Sequence, residues 1–132
     1  MRRPVVVSIE DDYELFRLIA FTLKSLPIKL YNAPTGYEAL RLVPAVKADL
    51  ILLDISLPDL HGWEVLKELK ASNLDLKGVI VLTTYTEPQH RVMAHFQDVT
   101  AYVSKPFNPK ELLSLVKDTL NLKADRSDSH PT

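Results

Sequence analysis

The stretch from Ala48 to Gly62 constrains this chain most. Leu50-Ile51-Leu52-Leu53 is an unbroken apolar run of four residues bounded by polar and turn-forming ones, the mark of a strand covered on both faces, as in the middle of a parallel sheet. The run ends in a carboxylate, Asp54. In an open α/β sheet ligands bind outside the carboxyl ends of the strands, so Asp54 stands where chemistry is expected. Leu57-Pro58-Asp59-Leu60-His61-Gly62 reads as a loop whose Pro and Gly set the backbone, and Trp63 opens a helix. Turn chemistry alone also favours Asp at a strand end. The meaning of Asp54 therefore depends on what the other strands bring to the same edge.

Four other segments read as strands. Pro4 to Ile9 is short, β-branched and followed by Glu10-Asp11-Asp12, and Gly78 to Thr83 repeats the buried signature and ends in hydroxyls. Ile28 to Asn32 alternates and reads as an edge strand; Thr100 to Ser104 is the last and leads into Lys105-Pro106. Between them lie helical patterns. Asp12 is placed to cap a helix running to Ser25, and Thr35 to Val43 reads as a helix stopped by Pro44. Trp63 to about Ala71 is a third. Pro88 opens a fourth with Val92, Met93 and Phe96 on one face, and Asn108 caps a fifth with Pro109 at its first position and Leu112, Leu113, Val116 and Leu120 as its core stripe. Five strands alternating with five helices predict a doubly wound α/β fold, a five-stranded parallel sheet in the flavodoxin-like order 2-1-3-4-5. That order brings Glu10, Asp11, Asp54, Thr83 and Lys105 to one edge.

The apolar set of the first helix, Leu15, Phe16, Leu18, Ile19, Phe21 and Leu23, covers more than one stripe. An enveloped helix is expected, with an apolar patch of Leu15, Phe16, Ile19 and Leu23 left for a partner as the other reading. The 132 residues suit one domain over 1–121, followed by a polar, aperiodic tail or linker stub over 122–132. A formal charge of -1 gives no broad attraction to nucleic acid or to a membrane surface. The absence of cysteine excludes disulfides and thiolate chemistry. Neither a signal-peptide pattern nor an apolar run of spanning length is present, so a cytoplasmic location is expected.

Three carboxylates at one site repel one another, and a hard divalent cation such as Mg²⁺ with oxygen ligands relieves that repulsion. Lys105 adds a mobile positive charge and Thr83 a hydroxyl, both suited to phosphoryl oxygens. Asp54 then reads as a carboxylate nucleophile toward phosphorus. His90 and His95, five residues apart, do not share a helix face; His61 reads as a solvent-facing loop residue, Trp63 as packing at its helix start, and Asp59 as a turn residue. A flavin-binding flavodoxin would need a Ser/Thr/Gly-rich phosphate loop where acids stand here. An aspartate-nucleophile phosphatase would want an acid at the position of Ser56.

Glu10-Asp11-Asp12, Leu50 to Asp54 with Leu57-Pro58-Asp59 and Gly62, Val79 to Thr83, and Tyr102-Val103-Ser104-Lys105-Pro106-Phe107 together resemble the receiver domain of two-component response regulators, over residues 4 to about 121. The resemblance implies phosphorylation of Asp54 by a sensor histidine kinase or histidine phosphotransfer protein, with Mg²⁺ held by Asp11, Asp54 and the Ser56 carbonyl and by Glu10 through water. It implies that Lys105 pairs with the phosphoryl group, that Pro106 follows a cis peptide bond, and that Thr83 and Tyr102 form a switch acting on the face of the fourth helix, fifth strand and fifth helix. A downstream target or fused effector domain and a phosphorylation-dependent homodimer belong to the same picture, with no enzymatic turnover beyond autophosphorylation and slow autodephosphorylation. The alternative is a pseudo-receiver that works by protein contact alone. Asp98-Val99 stands where the family usually has Gly-Ala, so a reshaped turn is expected there. Thr84, Tyr85 and Ser56 together suggest slow loss of phosphate.

Overall fold

The computed structural model describes residues 2–84 and 98–122. Along the chain run β1 (Val5–Ile9), α1 (Tyr13–Leu23), β2 (Lys29–Ala33), α2 (Gly36–Val46), β3 (Leu50–Asp54), α3 (Gly62–Ala71), β4 (Gly78–Thr83), β5 (Ala101–Ser104) and the final helix α4 (Pro109–Thr119). The strands form one sheet in the order β2-β1-β3-β4-β5, every pair parallel, with Val7 opposite Ile51, Leu53 opposite Val81 and Thr83 opposite Ser104. This is the flavodoxin-like order expected from the sequence. The helix expected to open at Pro88, with His90 and His95, lies outside the described residues, as do Tyr85 and the tail after Leu122.

The two faces of the sheet are both covered, which is why its central strands are apolar at consecutive positions. Val5, Val7, Ile9, Ile51, Leu53, Val79 and Val81 point to one side and pack under α2 and α3 with Val43, Val65, Leu66 and Leu69. On the other side Val6, Leu50, Leu52, Ile80, Leu82 and Val103 pack with Ile19 and Leu23 of α1 and Leu112 and Val116 of α4. Burying each such aliphatic side chain is worth about 1.5–3 kcal/mol. The middle of the sheet thus gives β3 a rigid base from which Asp54 emerges.

Three expectations need correction. First, α2 does not stop at Pro44 but runs through it to Val46. A proline in the last turn gives up one donor yet leaves the preceding turns intact, and the helix is ended instead by Lys47 in the left-handed conformation (φ 55). The Lys47 N–H donates to the Pro44 carbonyl and the Ala48 N–H to that of Val43, both at 3.2 Å. Second, α1 is not enveloped: Ile19 and Leu23 are buried, Leu15 and Phe16 half-buried, while Tyr13 and Phe21 are 66% and 65% exposed and Leu18 is exposed as well. One sheet face below and α4 alongside cover one stripe of α1 and no more. Third, Asp98 itself takes the left-handed conformation (φ 60), and its carbonyl accepts from Lys70 Nζ at 3.3 Å. Aspartate tolerates this region better than most residues, so it fills the place expected of a glycine.

Candidate functional site

At the carboxyl edge of the sheet, neighbouring strands β1, β3 and β4 end side by side, and the residue types at their ends meet. Asp54 closes β3 and is 5% exposed. The Ser56 N–H donates to its Oδ1 at 2.9 Å, and Lys105 Nζ lies 3.2 Å from its Oδ2. The same ammonium lies 3.2 Å from Glu10 Oε1. Glu10 is buried just past β1, its Oε2 accepting the Asp12 N–H at 3.1 Å and its own N–H donating to the Ala33 carbonyl at 3.1 Å. Asp11 is exposed and completes the group: one carboxylate oxygen from each of Glu10, Asp11 and Asp54 lies within 4.8 Å of the others.

One lysine cannot balance three carboxylates in so small a space. Burial first, and then the charge of Asp54, push the Glu10 carboxyl up to about 7, against the pull of Lys105 and the Asp12 N–H. The donor set is all oxygen, with Asp11 open to solvent, and it fits a hard divalent cation. These residues could hold such an ion.

Thr83, Thr84 and Lys105 occupy the same edge, and Tyr102 lies two residues back from the end of β5. Thr83 is fully buried at the end of β4, its carbonyl accepting the Lys105 N–H at 2.9 Å. Thr84 is exposed. The Lys105–Pro106 peptide bond is cis. Tyr102 is half-buried against the cluster under α2 and α3. Since Tyr102 is the register partner of Val81, and side chains two apart share a face, Tyr102 and Thr83 lie on the same side of the sheet.

The loop from Ile55 to His61 is held more firmly than its sequence suggests. Gly62 donates to the Ile55 carbonyl at 2.9 Å, and a Cβ on Gly62 would stand 2.6 Å from Ile55 Cα, so only glycine allows this closure. His61 is the N-cap of α3, its Nδ1 accepting the Trp63 N–H at 3.3 Å, and Trp63 is buried behind it. Asp59, read from the sequence as a turn residue, does more: its two carboxylate oxygens accept the Gly36 and Tyr37 N–H groups at 2.8 and 2.9 Å. What burial the Asp59 carboxyl has raises its pKa, but those backbone donors prevail and hold it below the usual aspartate value. Nothing in the local sequence signals a partner 23 residues away.

A family model of the response regulator receiver domain matches residues 6–117. The chain belongs to this family. Among curated relatives of this receiver domain, the probable transcriptional regulator ycf29 of Porphyra purpurea is 34% identical over 135 residues, which cover 96% of this chain and 65% of that protein. The alkaline phosphatase synthesis transcriptional regulatory protein PhoP of Bacillus subtilis is 32% identical over 87% of this chain and 48% of its own length. The receiver domain thus spans between about half and two thirds of these relatives. Among solved structures, the CheY-like response regulator receiver domain protein of Methanospirillum hungatei superposes with a TM-score of 0.84 at 26% identity, covering 91% of this chain and 95% of that one. Among the described residues of this receiver domain no helix is long and apolar enough to cross a membrane.

Proposed function

We propose that this receiver domain accepts a phosphoryl group on Asp54 from a sensor histidine kinase or histidine phosphotransfer protein in a Mg²⁺-dependent reaction. The observation that carries the reading is the placement of Lys105 Nζ 3.2 Å from both Asp54 and Glu10 inside a triad of carboxylates. A buried aspartate beside a lysine and an acid pair able to hold a cation has what a phosphoryl acceptor requires: a nucleophile and a source of positive charge for the transferring group. An Asp54 oxygen attacks phosphorus, the new O–P bond forms as the bond from phosphorus to the donor imidazole nitrogen breaks, and that nitrogen keeps the electron pair and takes up a proton. The product is an acyl phosphate. Bound Mg²⁺ would be held by Asp11, Asp54 and the Ser56 carbonyl, with Glu10 acting through water, and would neutralise charge on the phosphoryl oxygens. Lys105 turns from the Asp54 carboxylate to the phosphoryl group, and the Ser56 N–H keeps the acceptor oriented.

In this reading Thr83 swings its hydroxyl to the phosphoryl oxygens and Tyr102 turns inward on the same face of the sheet, which shifts a population between two packings of the signalling face. The domain is a cytoplasmic signalling module, not an enzyme with turnover on other substrates. Its output passes to a downstream protein, a fused effector domain or a second copy of the phosphorylated chain. Thr84, exposed at the end of β4, supports slow loss of phosphate by obstructing water.

The test is to incubate the protein with acetyl phosphate and Mg²⁺ and weigh the intact chain beside Asp54→Asn. One phosphoryl adduct that requires Mg²⁺ and disappears in the variant is expected. No adduct at short times in the cold would move the protein to the class of pseudo-receivers that act by contact alone.

A further inference from the structure

We infer that Asp59 is a positioning residue for the site, holding the Ser56 turn in register with Asp54 by tying the loop after β3 to the start of α2. The inference rests on the phosphoacceptor reading above. The Ser56 turn meets the site through one backbone hydrogen bond, its N–H on Asp54 Oδ1 at 2.9 Å, and in that reading it also presents a carbonyl to the ion. A main-chain group can serve in this way only if its peptide plane is fixed. On one side the plane is fixed by the bond from Leu57 N–H to the Ile55 carbonyl at 3.2 Å and by the closure at Gly62. On the other side the next residues are Leu57, Pro58 and Asp59, and Ser56, Pro58 and Asp59 are all exposed. Leu57 packs on the core beneath, and the exposed Pro58 and Asp59 are anchored by the Asp59 carboxylate, which receives the first two N–H groups of α2 at 2.8 and 2.9 Å.

The anchor is built into α2 as well. A Cβ on Gly36 would stand 2.8 Å from Val65 Cγ2 and 2.9 Å from Leu60 Cβ, so the loop and α3 rest directly on this glycine. Thr35 caps the Glu38 N–H at 3.1 Å, which leaves the Gly36 and Tyr37 donors for Asp59. Loss of the two charge-assisted bonds would free the exposed half of the loop while leaving the buried half packed. The consequence falls on the ion and the acceptor, since both depend on where the Ser56 peptide points.

The experiment titrates Mg²⁺ alone into the unphosphorylated protein by calorimetry, using wild type, Asp59→Ala, Asp59→Asn and Asp75→Ala, with urea melts of each. Asp75 is an exposed carboxylate between α3 and β4, away from the site, and controls for loss of charge. Asp59→Ala is expected to weaken Mg²⁺ about tenfold, in the range seen when a group orienting a metal ligand is removed. Asp59→Asn, which keeps one side-chain oxygen as acceptor, should retain part of the affinity, and Asp75→Ala should match wild type. An unchanged affinity in Asp59→Ala, or equal loss in the Ala and Asn variants, overturns the positioning role while leaving the phosphoacceptor reading in place. A wild type that binds no Mg²⁺ overturns both.

Discussion

Asp49 joins three strands at the end of the sheet opposite Asp54. Its carboxylate accepts the buried Val5 N–H at 2.7 Å and two bonds from the Arg2 guanidinium at 3.0 and 3.2 Å. Its backbone N–H donates to the Val5 carbonyl and its carbonyl accepts the Lys77 N–H, both at 2.7 Å. Burial raises the proton affinity of this carboxyl, but the Val5 N–H and Arg2 more than offset it, and the group sits below its ordinary value of 3.8. A carboxyl depressed in the folded state contributes stability above its unfolded pKa and loses it as pH falls through the folded value. Asp49→Ala leaves the Val5 N–H without a partner and should cost about 1–3 kcal/mol at neutral pH. In urea melts the gap between wild type and Asp49→Ala should narrow as pH drops below about 4. A gap that stays constant to strongly acid pH would show that the ionised carboxylate is not what stabilises this corner.

The helices show which signals are local and which are not. Asp12 and Asn108 cap α1 and α4 as expected from the sequence, and Thr35, read there as the first helical residue, caps α2; an N-cap needs nothing but its own next three residues. Asn108→Ala removes the acceptor for the Lys110 and Glu111 N–H groups and should cost about 1 kcal/mol. Thermal melts read that loss, and under the proposed function Asn108→Ala should still take a phosphoryl group from acetyl phosphate. The strands were equally legible, since burial on both faces writes itself as consecutive apolar residues in β1, β3 and β4. Glu10, Asp11, Asp54, Thr83 and Lys105 were legible as a group because parallel strands deliver their carboxyl ends to one edge. The end of α2 was not, because whether a proline stops a helix depends on how many bonds remain behind it. The exposure of α1 was not legible either: apolar residues at Tyr13, Leu18 and Phe21 look the same whether a neighbour covers them or not. The Asp59 bond to α2 depends on two loops meeting in space, which no spacing along the chain records.

Among the described residues, the chemistry and an uncovered apolar groove lie toward the same end of two neighbouring helices. α1 begins at Tyr13, two residues after Asp11, and α4 begins at Pro109, four residues after Lys105. Along the seam between these helices Leu18, Phe21, Pro109 and Leu113 line a shallow groove with Thr22 and Lys110 at its rim. Under the proposed function, a phosphohistidine donor that approaches Asp54 over the starts of α1 and α4 would meet this groove, where apolar side chains of a helix could seat. The patch expected from the sequence is corrected accordingly: Ile19 and Leu23 are buried and Leu15 and Phe16 half-buried, whereas Leu18 and Phe21 are exposed, with the Lys24 ammonium 4.3 Å from the centre of the Phe21 ring. Phe21→Asp should leave the fold intact, since Phe21 is 65% exposed. With a purified sensor histidine kinase that labels the wild type, the variant should take phosphate at least about tenfold more slowly, the effect of losing roughly 1.4 kcal/mol at one interface anchor. Labelling by acetyl phosphate should be unchanged, because a small donor reaches Asp54 without touching the groove. Equal loss with both donors would assign Phe21 to the integrity of the domain, and undiminished transfer from the kinase would place its docking surface elsewhere.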